Sequence, residues 1–131
     1  GRPARLTPAF HEAYDEAAGG RTVQARLRHG PAPAPDDAPG SEVESRPWPL
    51  RSTDIDRLAH VNNAATWAVV EDELDRRGLV AGAAELEYPD AIAPRSSAEL
   101  RVALGEAGTL ALWLLVADKV VASARVEGRP A

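Results

Sequence analysis

The segment of residues 63–77 constrains the fold of this chain more than any other part of its sequence. Its first half, AATWAVV, is apolar on nearly every side, which is typical of a helix that other elements enclose. Its second half, EDELDRR, is charged, and we expect its four acidic residues to lie in water: Glu71, Asp72, Glu73 and Asp75. A glycine follows as a natural stop. The sequence therefore predicts one long helix whose apolar half is covered by the rest of the chain.

Segments that alternate between apolar and polar residues surround this helix and predict an antiparallel sheet. Leu100, Val102 and Leu104 alternate with charged or small residues, and short links such as Asp118-Lys119 suit hairpins. The predicted strands cover residues 46–51, 83–88, 98–104, 110–117 and 120–127. One antiparallel β-sheet wrapped around one long central helix satisfies this order, so the predicted fold class is α+β.

The first 45 residues differ from the rest in composition. Residues 8–18 predict a short helix, residues 22–27 a short strand, and the proline-rich segment GPAPAPDDAPG an extended linker. We therefore divide the chain into an N-terminal extension, residues 1–45, and a domain, residues 46–131. The histidines of the extension, His11 and His29, are expected to be exposed to solvent.

Composition excludes several classes of function. The 131 residues carry a net charge of −5, whereas binding to nucleic acid needs a basic surface. The absence of Cys excludes disulfides, thiolate zinc sites and a cysteine nucleophile, and three His are too few for a dedicated metal site. No apolar run reaches the ~20 residues that span a bilayer, and no signal peptide is visible. We therefore expect a cytoplasmic protein without nucleic-acid, membrane or metal partners.

The string TDIDRLAHVNN, residues 53–63, carries the residue types of a catalytic site directly before the helix. The N-terminus of a helix offers unpaired N–H groups that can polarise a thioester carbonyl. A nearby carboxylate could then act as a general base on water or as a nucleophile, and His60 could orient the substrate or move protons. Asp and Asn before a helix are also ordinary capping and turn residues, so spacing alone leaves both interpretations open.

The string DIDRLAHVNN, the helix after it and the segment ALWLLVADKVVASARV resemble the hotdog-fold thioesterases. The resemblance is greatest to the C-terminal hotdog repeat of the acyl-acyl-carrier-protein thioesterases and covers about residues 46–131. Residues 1–45 resemble the end of the linker between the two repeats of that family. The 4-hydroxybenzoyl-coenzyme A thioesterases carry a similar string.

The resemblance implies that Asp56 and His60 are catalytic. The residues around the start of the helix are then expected to bind the substrate: Asn62, Asn63, Ala64 and Trp67. Two further catalytic positions of the plant members differ in this chain. Leu58 stands where those members have an Asn, and Ala91 stands where they have a Glu.

The activity implied by the resemblance is hydrolysis of fatty acyl-acyl-carrier-protein to a free fatty acid, with water as the second substrate and no metal or redox cofactor. An acyl-coenzyme A thioesterase is the alternative within enzymes, and a non-catalytic hotdog half that binds acyl chains or serves as a structural partner is the alternative outside them. Hotdog sites form where two repeats meet, so we expect a homodimer or pairing with a second repeat. The absence of Met fits the second half of a protein about twice as long.

Overall fold

A computed structural model describes residues 7–19, 26–35 and 43–131 of the chain. These residues form helices α1 and α2 and strands β1 to β5, and all the described elements that were predicted are present within a few residues. In chain order they are α1 (Pro8–Ala18), β1 (Val43–Trp48), α2 (Asn63–Arg76), β2 (Leu79–Glu87), β3 (Ala98–Leu104), β4 (Thr109–Val116) and β5 (Lys119–Pro130). The predicted strand at residues 22–27 lies mostly outside the described residues, and residues 26 and 27 belong to no strand.

The five strands form one sheet in the order β1-β3-β4-β5-β2, and every neighbouring pair is antiparallel. Helix α2 joins β1 at one edge to β2 at the other, so the chain crosses the whole sheet between these two strands. The hairpins β3–β4 and β4–β5 fill the centre, with Leu100 opposite Leu114 and Leu112 opposite Ala124. This arrangement confirms the α+β class with an antiparallel sheet.

The core lies between α2 and one face of the sheet, called here the inner face. Side chains alternate between the two faces of a strand, and the inner-face positions of β3, β4 and β5 are apolar and buried. Helix α2 contributes Val69, Val70 and Leu74 to the same cluster. The inner-face residues are Ala98, Leu100, Val102, Leu110, Leu112, Leu114, Ala122, Ala124 and Val126.

Helix α2 has 14 residues and is covered on one side only. The prediction that its apolar half is enclosed all round is wrong for the described residues, because Ala64 is exposed and Trp67 is 41% exposed. A single sheet covers one stripe of a helix, and the opposite stripe faces away from it. This chain therefore leaves an apolar stripe of α2 uncovered beside the helix start.

The charged half of α2 also departs from its prediction. Glu71, Asp72 and Asp75 are exposed, whereas the side chain of Glu73 is fully buried. Three guanidinium groups surround its carboxylate and donate hydrogen bonds to it, from Arg46, Arg76 and Arg77. Burial alone would raise the pKa of Glu73, but these hydrogen bonds outweigh it and lower the pKa from 4.5 to about 2.

The outer face of the sheet carries the described part of the N-terminal extension. Residues 28–33, called here the strap, cross this face over four strands. The guanidinium of Arg28 pairs with Glu85 of β2, the indole Nε1 of Trp113 donates to the Gly30 carbonyl over 3.0 Å, and Arg101 of β3 donates to the Pro33 carbonyl over 3.2 Å. The extension therefore includes a segment that packs against the domain.

The side chain of His29 in the strap is only 5% exposed, which corrects the expectation that it is exposed to solvent; His11 is exposed as expected. The His29 Nδ1 atom lies 2.8 Å from the Ser123 hydroxyl, and the backbone N–H groups of Arg28 and His29 donate to the Glu87 carboxylate. A proline-rich segment has no periodicity from which these contacts with distant strands could be predicted.

Candidate functional site

A cavity of about 150 Å³ lies beside the N-terminus of α2. Its walls come from the loop before α2, the first turns of α2, the loop after β2 and the start of β5. The lining residues are Asp56, His60, Val61, Asn63, Thr66, Tyr88, Asp90, Ala91, Ile92, Val121 and Ala122. The cavity therefore unites the predicted catalytic residues, Asp56 and His60, with the start of the helix.

Two larger grooves, of about 420 and 340 Å³, lie along other parts of the sheet surface. One is lined by Arg46, Glu99 and Asp118 among others, and the second by Glu85 and Arg125 among others. Neither is lined by a histidine or borders the start of α2. The smaller cavity is the better candidate site because it combines a carboxylate and an imidazole with a helix N-terminus.

The Asp56 carboxylate shapes the loop in which it lies. Its Oδ1 atom accepts hydrogen bonds from the backbone N–H of Leu58 over 2.8 Å and of His60 over 3.2 Å. The Asp56 N–H in turn donates to the His60 carbonyl over 2.8 Å, and Ala59 closes the turn with a φ of 57°. No donor among the described residues bonds Oδ2. One carboxylate oxygen is thus held by the loop, and the second has no donor within residues 7–19, 26–35 and 43–131.

This loop is fixed to the rest of the domain at its base. Ile55 and Val61 form an antiparallel bridge, and the Val61 N–H donates to the Ile92 carbonyl over 2.9 Å. That hydrogen bond joins the loop before α2 to the loop after β2, although about thirty residues separate them in sequence. It explains why Tyr88, Asp90, Ala91 and Ile92 line the cavity together with Asp56.

Asp54, the other acidic residue of the string, has a structural role in this loop. Its side chain is buried and accepts hydrogen bonds from the backbone N–H and the guanidinium of Arg51. Burial alone would raise the pKa of Asp54, but the hydrogen bonds from Arg51 outweigh it and hold the pKa below its ordinary value. Asp54 does not line the cavity, so Asp56 is the acidic residue of the string that faces it.

The start of α2 uses Asn62 as its cap. The Asn62 Oδ1 atom accepts from the Ala64 N–H over 2.9 Å, which satisfies one of the free donors of the first turn. Among the residues predicted to bind substrate, Asn63 lines the cavity, whereas Asn62, Ala64 and Trp67 do not. Asn62, Ala64 and Trp67 are exposed, and their roles remain predictions.

Asp56 and His60 lie close together but are joined through the backbone. The hydrogen bond between them runs from the His60 N–H to the Asp56 carboxylate, and His60 is exposed at the mouth of the cavity. No hydrogen bond joins the imidazole to this carboxylate in the described part of the chain. The arrangement therefore keeps both groups at one cavity without forming a dyad of the Asp–His kind.

Sequence reasoning missed the parts of the site that come from Thr66, Tyr88 and Asp90. Burial raises the pKa of Tyr88, whose hydroxyl lies 3.4 Å from the Asn63 carbonyl. The hydrogen bonds from Lys119 and the Ala91 N–H lower the pKa of Asp90, which keeps this second carboxylate charged. The signal available in the sequence was the polar pair Tyr88 and Asp90 at the end of a predicted strand.

Three potential metal ligands of the described chain lie close together outside this cavity. His29, Glu85 and Glu87 bring one ligand atom each within 4.8 Å of one another. Glu85 is already paired with Arg28, and Glu87 accepts two backbone N–H groups. These contacts give the three side chains a structural role in holding the strap on the outer face.

No protein-family model matches the chain, and no curated protein matches it in sequence. Solved structures do match it. A protein from Staphylococcus aureus solved in complex with coenzyme A has a TM-score of 0.61 at 14% identity, over 66% of this chain and 74% of that protein. A thioesterase from Thermus thermophilus, solved with coenzyme A and zinc, has a TM-score of 0.57 at 20% identity, over 66% of this chain and 78% of that one.

A third match extends further along the chain. A protein from Lactobacillus plantarum, provisionally named an oleoyl thioesterase, has a TM-score of 0.65 at 18% identity and covers 95% of this chain. The match spans 50% of the Lactobacillus protein. At these identities the comparisons establish the fold alone, which is the hotdog fold. No helix of the described chain is long and apolar enough to cross a membrane.

Proposed function

We propose that this chain hydrolyses acyl thioesters at the cavity beside α2, with Asp56 as the reacting carboxylate. The observation that carries the proposal is the position of Asp56, which lines a cavity at a helix N-terminus. One of its carboxylate oxygens accepts no hydrogen bond from the described part of the chain. The fold is one on which thioesterases occur, which agrees with this chemistry.

The reaction needs a polarised carbonyl and an activated water. The partial positive charge at the start of α2 favours negative charge on the carbonyl oxygen as the tetrahedral intermediate forms. Asp56 accepts a proton from water while the water oxygen bonds to the carbonyl carbon. Collapse of the intermediate breaks the C–S bond and releases the acid, and the leaving thiolate takes a proton from His60. Asp56 then returns its proton to solvent, and His60 regains one from solvent. If Asp56 attacks directly, water hydrolyses the resulting anhydride instead.

His60 is placed to donate a proton to the leaving thiolate. It is exposed at the mouth of the cavity, where the sulfur and the long arm of the thioester would enter. An imidazole can supply a proton to a thiolate near neutral pH. In this proposal His60 assists departure of the thiol and Asp56 acts on the carbonyl carbon, so each of the two predicted catalytic residues has a separate step.

The thioester donor is acyl carrier protein or coenzyme A, which present the same kind of pantetheine arm. The sequence resemblance favours acyl carrier protein, with a fatty acid as the product. The coenzyme A complexes of the Staphylococcus and Thermus proteins favour coenzyme A. Assays with both donors decide between them.

Pairing with a second hotdog unit would complete the site. The uncovered stripe of α2, with Ala64 and Trp67, lies beside the helix start, and β1 and β2 are the outer strands of the sheet that the described residues form. A second copy, or a second repeat as the half-length match to the Lactobacillus protein suggests, would cover this stripe. Asn62, Ala64 and Trp67 would then border the substrate.

A non-catalytic hotdog half is the second candidate, and two residues favour it. Leu58 stands at the position of a catalytic Asn in the plant thioesterases and is 76% exposed. Ala91 stands at the position of their catalytic Glu and lines the cavity. A chain with these replacements could bind an acyl thioester and leave it intact.

Replacing Asp56 by Asn tests the proposal. The variant D56N retains an oxygen for the loop but cannot take a proton from water, so we expect hydrolysis of acyl-coenzyme A and acyl-carrier-protein thioesters to fall by at least about 100-fold. Asp75→Asn, an exposed change on α2, is the control and should leave the rate unchanged. Activity of D56N within a few-fold of wild type would overturn the mechanism, and hydrolysis of neither donor by wild type would favour the non-catalytic candidate.

A further inference from the structure

The back of the cavity is closed by two small side chains. Thr66, one turn along α2 from Asn63, is 7% exposed, and Ala122 on the inner face of β5 is 1% exposed. Both residues also border the space behind the cavity, between α2 and the sheet. They therefore form the wall that an acyl chain entering from the helix start would meet.

The space behind this wall cannot take an acyl chain. Apolar side chains line it, among them Val69, Val70 and Leu114, and its free volume is about 10 Å³. A cavity of about that size barely holds one water molecule. Core side chains interdigitate at high density, so a chain passing between α2 and the sheet would have to displace them.

The cavity itself sets the size of the group that fits. Its volume of about 150 Å³ equals that of an engineered apolar cavity known to bind benzene, a ring of six carbons. Its deeper walls are apolar, with Ile92, Val121 and Ala122, whereas Asp56 and His60 are polar. An acyl group can thus enter with its carbonyl carbon at the polar end and its hydrocarbon against the apolar walls.

We infer that the site takes short acyl groups, of about six carbons or fewer, and that Thr66 and Ala122 set this limit. This inference rests on the proposed function, because it assigns the acyl group of the thioester to this cavity. It departs from the fatty acyl substrate that the sequence resemblance implies. An acyl chain that ran along the uncovered stripe of α2 past Trp67, instead of toward Thr66, would meet no such limit.

The test is a series of acyl-coenzyme A thioesters from acetyl to palmitoyl. We expect kcat/KM of the wild type to be highest at hexanoyl or shorter and to fall beyond it. Thr66→Ala removes part of the wall, so the ratio of kcat/KM for octanoyl to that for butyryl should rise about fourfold, the effect of about one buried methylene. In Ala122→Val the wall is thickened, and the same ratio should fall.

Val69→Ala is the matched control, because it enlarges the space behind the wall and leaves Thr66 in place. It should lower stability and leave the chain-length profile unchanged, whereas Thr66→Ala/Val69→Ala should accept longer chains than Thr66→Ala alone. A wild-type optimum at octanoyl or longer, or a profile that neither wall variant moves, would overturn the inference. Ala122→Val adds bulk to the packed core. If this variant does not fold, the Thr66 variants alone test the inference.

Binding separates a failure of this inference from a failure of the proposed function. Titration of Asp56→Asn with butyryl- and decanoyl-coenzyme A measures the length limit even if no thioester is hydrolysed. Tighter binding of the butyryl ester supports the limit, and tighter binding of the decanoyl ester, or binding of neither, contradicts it. Hydrolysis of long chains only would support the proposed function and overturn the limit.

Discussion

Arg46 of the edge strand β1 donates a hydrogen bond over 2.7 Å to the fully buried carboxylate of Glu73 in α2. Arg76 and Arg77, one turn further along the helix, bond the same carboxylate, and both also pair with Glu44 of β1. This cluster fastens the last turn of α2 to the edge of the sheet. It fixes the direction of the helix whose opposite end borders the candidate site.

Replacing Glu73 by Gln should therefore destabilise the domain. The change keeps the shape of the side chain but removes the negative charge that compensates three guanidinium groups. We expect a loss of about 3 kcal/mol in the free energy of unfolding, as when one partner of a buried ion pair is removed. Urea denaturation measures the loss. Glu71→Gln, on the exposed side of the same helix, is the control and should change the free energy of unfolding by less than about 0.5 kcal/mol.

The same carboxylate should make stability depend on pH in the acid range. The pKa of Glu73 falls from 4.5 to about 2 on folding, so its contribution is complete above pH 4.5 and is lost as the pH drops toward 2. The thermal midpoint of the wild type should fall across this window. The thermal midpoint of the Glu73→Gln variant should fall less steeply with pH. Its remaining slope is due to other carboxylates whose pKa is lowered on folding, such as Glu44 and Asp54. Equal slopes for the two proteins would contradict this account of Glu73.

The strap should depend on Trp113 for its position on the outer face. Trp113→Phe removes the indole donor to the Gly30 carbonyl, and we expect a loss of about 1 kcal/mol in unfolding free energy from that hydrogen bond. The strap amides should also exchange faster in hydrogen–deuterium exchange. Trp67→Phe, at an exposed tryptophan, should change neither quantity. If the strap amides exchange at the same rate in wild type, Trp113→Phe and Trp67→Phe, the position of the strap does not depend on the Trp113 hydrogen bond.

Local patterns in the sequence predicted the helices and strands. They did not predict the burial of Glu73 and His29, which depends on contacts between distant segments. The alternation in Ala98–Leu104 gave the bounds of β3 without error, and the charged end of α2 gave its C-terminus within one residue. The burial of Glu73 depends on Arg46, which β1 brings from outside the helix. The burial of the His29 side chain depends on its contact with Ser123, which lies almost a hundred residues away in sequence.

Some residues of the candidate site could likewise be predicted from the sequence, whereas others are brought together only by the fold. Asp56 and His60 belong to one short string, so their proximity could be predicted from their spacing. Thr66 and Ala122 meet only because α2 packs on β5, and no local pattern marks them as the wall of a cavity. Trp67 is predicted either to pack in the core or to contact the acyl chain, but in this chain it is 41% exposed and does not line the cavity.

Two substitutions at Asp56 should separate its structural role from its chemical one. The Oδ1 atom holds the turn through the N–H groups of Leu58 and His60, and the amide oxygen of Asn can accept the same hydrogen bonds. Asp56→Ala removes this acceptor, so it should lower the free energy of unfolding by about 1 to 2 kcal/mol, whereas Asp56→Asn should cost less than about 0.5 kcal/mol.

Thioester hydrolysis should respond differently to these two changes. Both variants lack the ionised carboxylate, so both should lose activity to the same extent despite their different stabilities. Urea denaturation and hydrolysis assays on the same preparations measure the two effects. If activity instead followed stability, with Asp56→Asn nearly as active as wild type, Asp56 would be a turn residue that shapes the loop, and the reacting carboxylate of the site would have to be Asp90, the other acidic side chain of the cavity.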